Sequence, residues 1–316
     1  MEITNTPRFT VFTPTYNRGN LLRRVYESLL KQTYTDFEWV IIDDGSNDNT
    51  ETICKGFIKE ELIVIKYFKK LNGGKHSAWS FGINKFSGMY IICADSDDIK
   101  TPNMLEVYNY YWEQLEKSDD YFKFWEIKTR CSDEYGLLVG SNWENEILDS
   151  NNNEYYYKYK FKGEMSACRK KSVLLDEGLF PADFILSDKC SNFSEGIIWS
   201  RVSRKYKTRF VNKITRIYTT NTDDSLSKGI GKKGRYNSLV SCVYSLGERR
   251  DIFLKYEKKK YVKMLLIIPY YALILNENIN QFKSVLHRLD WFFICVIYKL
   301  MQCFKILRPS SITLDR

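Results

Sequence analysis

The sequence predicts an α/β fold: a mostly parallel sheet with flanking helices, followed by a helical C-terminal extension. Three observations lead there. Apolar runs of β character alternate with amphipathic helical stretches through the first half, the pattern of strands joined by helical crossovers. Each of those runs stops abruptly at a polar cluster. Beyond residue 228 the composition turns helical, basic and aromatic, so a principal domain is expected over 1–228, subdivided near residue 110, with an extension over 229–316.

In chain order, strands are expected at Phe9–Thr13, Trp39–Ile42, Leu62–Tyr67 and Tyr90–Ala94. Helices are expected between them at Asn20–Lys31, where Leu21, Val25 and Leu29 recur every four residues, at Asn49–Ile58 and at Ser77–Phe86. The strands end at Pro14-Thr15-Tyr16-Asn17-Arg18, Asp43-Asp44-Gly45-Ser46, Asn72-Gly73-Gly74-Lys75 and Asp95-Ser96-Asp97-Asp98. Any one of these is ordinary turn chemistry. Four on successive strand ends describe one composite pocket, because open α/β sheets bind ligands at the carboxyl ends of their strands. A further helix is expected to begin near Thr101-Pro102. From Tyr121 to Phe161 short aromatic strands and polar turns follow, with Asn151-Asn152-Asn153 as a surface loop; then come a helix at Ser194–Lys205 and strands at Thr208–Val211 and Thr215–Thr219.

The chain has 316 residues, 44% hydrophobic and 16% aromatic, which excludes a disordered or collagen-like polymer. Its eight cysteines form no Cys-x-x-Cys pair and read as reduced, buried thiols of a cytosolic protein. With His76 and His287 the only histidines, a structural zinc site is not expected. No charged segment followed by an apolar one opens the chain, so no secretion signal is expected. The longest apolar stretch, Met264 to Leu275, contains Pro269 and falls short of the ~20 residues needed to cross a bilayer. The net charge of +9 is concentrated from Lys158 onward and suits an anionic lipid surface, a nucleic acid or a phosphorylated substrate.

The most informative residues follow the run Tyr90-Ile91-Ile92-Cys93-Ala94. A buried strand that ends at two carboxylates one residue apart, Asp95 and Asp97, sets both on one rim, where hard oxygen ligands can hold Mg²⁺ or Mn²⁺ against a diphosphate. The bland alternative is a solvated turn capping the next helix.

Together these motifs resemble the family 2 glycosyltransferases of GT-A fold, the inverting enzymes of bacterial surface-polysaccharide synthesis. The resemblance rests on Phe12 to Arg18, on Val40-Ile41-Ile42-Asp43-Asp44-Gly45-Ser46 and its continuation to Thr50, on Asn72-Gly73-Gly74 and on Asp95-Ser96-Asp97-Asp98. It spans residues 8 to about 110, and more loosely reaches Tyr218 through Phe193 to Arg201. It implies a Rossmann-like nucleotide-diphospho-sugar transferase fold, with residues 1–110 binding the nucleotide sugar and 111–228 facing the acceptor. It further implies that Thr13, Pro14, Thr15, Tyr16, Arg18 and either Asp43 or Asp44 hold the uridine of a UDP-sugar, aided by Gly74, Lys75 and Ser96. Asp95 would touch ribose or metal and Asp97 would be the main ligand of Mn²⁺ or Mg²⁺. Glu195, ahead of an aromatic helix, stands where the family places its general base, with Asp188 as the alternative. Two departures are visible: Ala78-Trp79-Ser80 replaces the Ala-Arg-Asn run common after the glycine turn, leaving Lys75 or His76 to substitute, and no histidine is placed late in the catalytic region to ligate metal.

The expected partners are a UDP-sugar donor and a saccharide or lipid-linked acceptor at the cytosolic membrane face, in capsule, O-antigen or exopolysaccharide synthesis. A sugar-nucleotide-forming nucleotidyltransferase would want a glycine-rich basic loop after the first strand, which Thr13 to Arg18 does not supply. A nucleic-acid-binding protein would show a recognisable module around its charge, and none is present. Gly229-Ile230-Gly231-Lys232-Lys233-Gly234 fits a dinucleotide fingerprint by letter but does not follow a strand within a βαβ unit, and reads as a basic loop. In the extension, Val285, Leu289, Phe292, Val296, Leu300, Cys303 and Leu307 recur at spacings of three and four, widened by Trp291, Phe293 and Ile297 and flanked by basic residues. That face suits either a membrane interface or packing on the catalytic domain or a dimer partner.

Overall fold

The structure is a computed structural model and describes residues 6–178, 193–218 and 232–303. They form two compact units: one takes in the described residues up to Gly178 and from Val202 to Tyr218, the other Phe193–Arg201 and everything described from Lys232 on.

The first unit is built on one mixed sheet of ten strands among the described residues: β1 Phe9–Thr15, β2 Phe37–Asp43, β3 Val64–Lys69, β4 Tyr90–Cys93, β5 Ile99–Lys100, β6 Phe124–Ser132, β7 Leu138–Val139, β8 Ile147–Ser150, β9 Met165–Lys170 and β10 Lys207–Ile217. Their order is β3-β2-β1-β4-β9-β6-β10-β5, with β7 on β6 and β8 on β10. β1 to β4 are mutually parallel, β9 runs antiparallel to β4 and β6, and β10 is parallel to β6. The crossovers are α1 Gly19–Leu30, α2 Thr50–Glu60 and α3 Lys75–Gly82; α4 Met104–Glu116 and α5 Lys171–Glu177 follow.

β1 and β2 are covered on both faces, which explains their near-continuous apolar sequences. Alternate residues go to opposite layers. Phe9, Val11, Trp39, Ile41, Tyr90 and Ile92 join Leu22, Val25, Phe57, Tyr108 and Trp112 in one core. In that core Tyr26 stacks on Phe57 at 4.2 Å and Tyr90 on Trp112 at 4.2 Å. Phe12 goes to the other face and meets Trp79 of α3 edge-on at 4.7 Å. Trp79 is fully buried, so the position where the family carries a polar nucleotide contact is core here.

Two element readings need correction. The strands expected at Thr208–Val211 and Thr215–Thr219 are one strand, β10, whose register on β6 slips between Val211 and Ile214. Asn212 at the slip accepts from Arg130 and donates to the Trp143 carbonyl, which turns the strand without ending it. The helix expected near Thr101-Pro102 starts two residues later, at Met104, and Thr101 donates its N–H to the Thr215 carbonyl at 3.1 Å, tying the segment to β10.

The second unit is helical. It comprises α6 Glu195–Val202 (the last residue of which belongs to the first unit), α7 Lys232–Tyr256 with a kink at Arg249, α8 Lys258–Leu275 and α9 Arg288–Cys303. Leu239, Val243, Leu246, Phe253, Ile268, Ala272 and Ile294 make its core. Gly247 is required by a close approach, since a Cβ there would lie 2.3 Å from the Val285 carbonyl oxygen. Val285 precedes α9, and Leu307 lies outside the described residues.

Candidate active site

The sheet order reverses at β1, whose neighbours are β2 and β4, and a ligand crevice is expected beyond the carboxyl ends of strands at such a switch point. The loops leaving β1, β2, β3 and β4 are stitched into one rim there. The β1 loop turns at Asn17, which takes a left-handed φ of 51°. Asn17 donates its N–H to Ser46 Oγ at 2.8 Å, and its Oδ1 accepts from the Asn47 N–H at 2.8 Å, joining the β1 and β2 loops. The Asp44 N–H is donated to the Thr15 carbonyl at 2.8 Å.

Asp43 and Asp44 organise these loops. Asp43, fully buried, accepts from the Ser46 N–H at 2.7 Å and from the Tyr67 hydroxyl at 2.6 Å. Burial and the bond to Asp43 push the Tyr67 phenol far above its ordinary range. Asp44 receives Lys70 Nζ at 2.6 Å and the Gly73 and Gly74 N–H groups at 3.0 and 2.6 Å. It therefore holds the third strand's glycine turn against the second strand's loop. Gly74 needs its glycine, with φ of 86° just before α3.

The Asp95 to Lys100 segment alternates strictly. Ser96, Asp98 and Lys100 are buried, while Asp95 and Asp97 between them are half-buried. Asp98 is the anchor: its Oδ2 accepts from Lys100 Nζ at 2.9 Å and from the Asp95 N–H at 3.0 Å, and its Oδ1 lies 3.2 Å from Arg216 Nε. Asp95 and Asp97 pair instead with the neighbouring loops, Asp95 with Lys75 at 2.7 Å and Asp97 with Arg18 at 3.1 Å. Burial raises the Asp95 pKa, but Lys75, with Arg216 and Lys100 behind it, outweighs burial and holds the carboxyl down to about 2. Asp95 is thus ionised throughout the neutral range, which a hard cation requires of a ligand.

The structure thus brings together Thr15, Arg18, Asp43, Asp44, Gly74, Lys75, Asp95, Ser96 and Asp97. Thr13 lies deeper, its Oγ1 accepting from Trp39 Nε1 at 2.9 Å, while Pro14 is half-buried and Tyr16 is exposed. Ser96 is buried, with Oγ 3.4 Å from Arg18. Among the described residues Thr15 Oγ1 is buried with no hydrogen-bond partner, on the strand end that borders the switch point. His76 is buried, which leaves Lys75 as the half-exposed cation of the glycine turn. Glu195 is the first residue of α6, half-buried, in the second unit. Asp188 lies outside the described residues.

Sequence reasoning missed Lys70, Lys100 and Arg216. Lys70 stands two residues before the glycine turn, and an acid-rich rim facing that turn was a usable signal. Arg216 is more than a hundred residues from Asp98, and nothing local announced it.

Among the described residues no group of three or more His, Cys, Asp or Glu side chains could hold a metal ion. Asp98 is committed to Lys100 and Arg216, leaving two carboxylates. That donor set fits Mg²⁺ or Mn²⁺ bound jointly with a diphosphate and water, since Mg²⁺ ordinarily takes one or two carboxylates plus substrate phosphates.

A mixed sheet with this strand order, parallel over β1 to β4 with an antiparallel β9 beyond β4, has the GT-A type of fold. Residues 10–164 match the model for Glycosyl transferase family 2, so this stretch of the chain is a domain of that family. The chain is 37% identical to glycosyltransferase GlyG of Streptococcus pneumoniae over 110 residues, 35% of this chain and 36% of GlyG. It is 28% identical to an uncharacterized glycosyltransferase of Rickettsia typhi over 199 residues, 63% of this chain and 54% of that protein. The chain therefore matches only about a third to a half of the length of these relatives. Residues 1–349 of S. aureus TarS, in complex with UDP-GlcNAc, share the fold with a TM-score of 0.55 at 14% identity, over 98% of this chain and 95% of that one.

Proposed function

We propose that the chain is an inverting hexosyltransferase that moves a hexose or N-acetylhexosamine from a UDP-sugar to a saccharide or lipid-linked saccharide acceptor, in the building of capsule, O-antigen or exopolysaccharide at the cytosolic membrane face. The observation that carries this reading is the rim itself. Two half-buried carboxylates one residue apart, Asp95 and Asp97, follow β4 at the switch point of the sheet, each paired with a cation from a neighbouring loop. The UDP-GlcNAc carried by a protein of the same fold supports the donor class.

In this reading residues 1–228 form the catalytic domain. The β1 loop receives the uridine, and Thr15 Oγ1, which has no partner among the described residues, supplies a hydrogen bond to it. Asp43 and Asp44 act chiefly by fixing the loops that shape the uridine site. Asp95 and Asp97 would hold Mg²⁺ or Mn²⁺, which when bound offsets charge on the departing diphosphate. Lys75, a point charge on a flexible stem, turns from Asp95 toward the diphosphate as the donor arrives. Inversion needs one base on the acceptor hydroxyl, on the face opposite the leaving group; Glu195 is assigned that role, with Asp188 in reserve.

Incubation with a panel of UDP-sugars and saccharide acceptors, with and without Mn²⁺, tests the reading through UDP release and the anomeric configuration of the product. UDP release with inverted product supports it. Retained configuration, or pyrophosphate formed from UTP and a sugar 1-phosphate, contradicts it.

A further inference from the structure

The helical unit exposes apolar side chains where a water-facing helix carries polar ones. α9 contains eight apolar residues in succession, Trp291 to Tyr298, yet only Asp290 and Ile294 of the helix are buried. The stripe that helical spacing marks as a packing face is the open one: Leu289 is 55% exposed, Phe292 60% and Leu300 50%. α8 adds a second stripe in Val262, Leu266 and Tyr270, spaced by four and all exposed. Exposed apolar rows of this kind mark an interaction site.

α9 is held by Ile294, fully buried in the core of the unit, and by a polar anchor at its first turn. Asp290, fully buried, accepts from Arg250 Nε at 2.9 Å and from the Tyr261 hydroxyl. The helix is thus pinned at Asp290 and Ile294, while Leu289, Phe292, Phe293, Val296 and Leu300 remain exposed.

Charge chooses the occupant. Between Lys258 and Cys303 six lysines and Arg288, all exposed, stand against Glu277 and Asp290 alone, and Asp290 is already neutralised by Arg250. A second copy of the same surface would set these cations against one another. An anionic lipid surface complements them, and aromatic and basic residues together are favoured in the membrane interface. With 16 residues, α9 is roughly 24 Å long at 1.5 Å per residue, too short for a ~30 Å hydrocarbon core. No helix among the described residues is long and apolar enough to cross a membrane.

We propose that the exposed face of α8 and α9 docks in the plane of an anionic bilayer surface, with Phe292, Leu300 and their neighbours in the headgroup boundary and the lysines and Arg288 against lipid phosphates. This surface is read from the helical unit by itself and does not rest on the proposed reaction.

The test uses the full chain and vesicles of phosphatidylcholine with or without phosphatidylglycerol, at low and high salt, with no donor or acceptor present. Wild type should sediment with the anionic vesicles, less so as salt rises, and only weakly with neutral ones. Lys283→Glu with Arg288→Glu and Lys299→Glu, all at exposed positions, should bind at least about a hundredfold more weakly, with thermal midpoint and helical circular dichroism unchanged. Phe292→Ser with Leu300→Ser should also lose binding while remaining folded. Failure of wild type to bind anionic vesicles at low salt overturns the proposal. So does a stable dimer in light scattering that the Phe292→Ser, Leu300→Ser variant converts to monomer, because the face is then covered by a second copy.

Discussion

Asp97 and Asp98 are adjacent in sequence and opposite in role, and exchanging each for asparagine separates the rim's chemistry from its support. Asp98 is 5% exposed and faces Lys100 at 0% and Arg216 at 9%. In Asp98→Asn the two buried cations lose their shared anion, and the amide N–H₂ brings donors where only acceptors fit. Breaking a buried ion pair by removing one partner costs about 3–5 kcal/mol. At roughly 2–4 °C per kcal/mol for a domain of this size, the melting midpoint should fall by about 10 °C. Asp97 is 27% exposed, and its pair with Arg18 is partly solvated, so Asp97→Asn should change stability by no more than about 1 kcal/mol. Its effect falls on transfer instead, because the proposed metal loses its main ligand. Thermal unfolding followed by circular dichroism, alongside UDP release from the active donor, reads both quantities. Equal destabilisation by the two substitutions, or an unaltered midpoint in Asp98→Asn, would refute the assignment of Asp98 as anchor and Asp97 as ligand.

Three further outcomes are expected. Glu195→Gln should lower kcat by ~10²–10⁴ with UDP affinity nearly unchanged, by steady-state kinetics and titration calorimetry; if Asp188→Asn shows that signature instead, the base is Asp188. Thr15→Val should weaken UDP binding about fivefold at constant stability, the worth of one ordinary hydrogen bond, and unchanged affinity would remove Thr15 from the uridine site. Lys170 donates to the Tyr121 carbonyl at 2.6 Å, and burial, only partly countered by Glu116, pushes its pKa down to about 8. Between that value and the ordinary 10.5 the unfolded chain binds more protons than the folded one, so this group adds stability as pH rises through the window. Urea unfolding at pH 8 and pH 9.5 should show that gain in wild type and lose it in Lys170→Met; an identical pH slope in both would exclude the effect.

Much of the first unit was legible because its signals are local. Strands covered on both faces read as continuous apolar runs, as in Phe9–Thr15 and Phe37–Asp43, and glycine and aspartate clusters mark where they end. The rim was legible in composition, but its wiring was not. That Asp43 closes its own turn and binds Tyr67, or that Asp98 depends on Arg216 of β10, follows from which strands lie side by side, and β9 and β10 join the sheet far from their sequence neighbours. β10 read as two strands because its slip at Asn212 breaks the alternation that identifies a strand. In α9 periodicity located the apolar stripe correctly, yet periodicity reports only that a helix has an apolar side, and the buried Asp290 fixes which side faces the unit.

In the proposed function Asp95 and Asp97 form the metal and diphosphate end of a UDP-sugar site. Calorimetric titration of UDP into wild type and into the Asp95→Ala, Asp97→Ala double variant, with Mn²⁺ and again with EDTA, tests it most directly. Wild type should bind UDP saturably, at least about tenfold more tightly with Mn²⁺, and the double variant should stay folded but no longer respond to Mn²⁺. Equal UDP affinity in both proteins, with or without Mn²⁺, would contradict it.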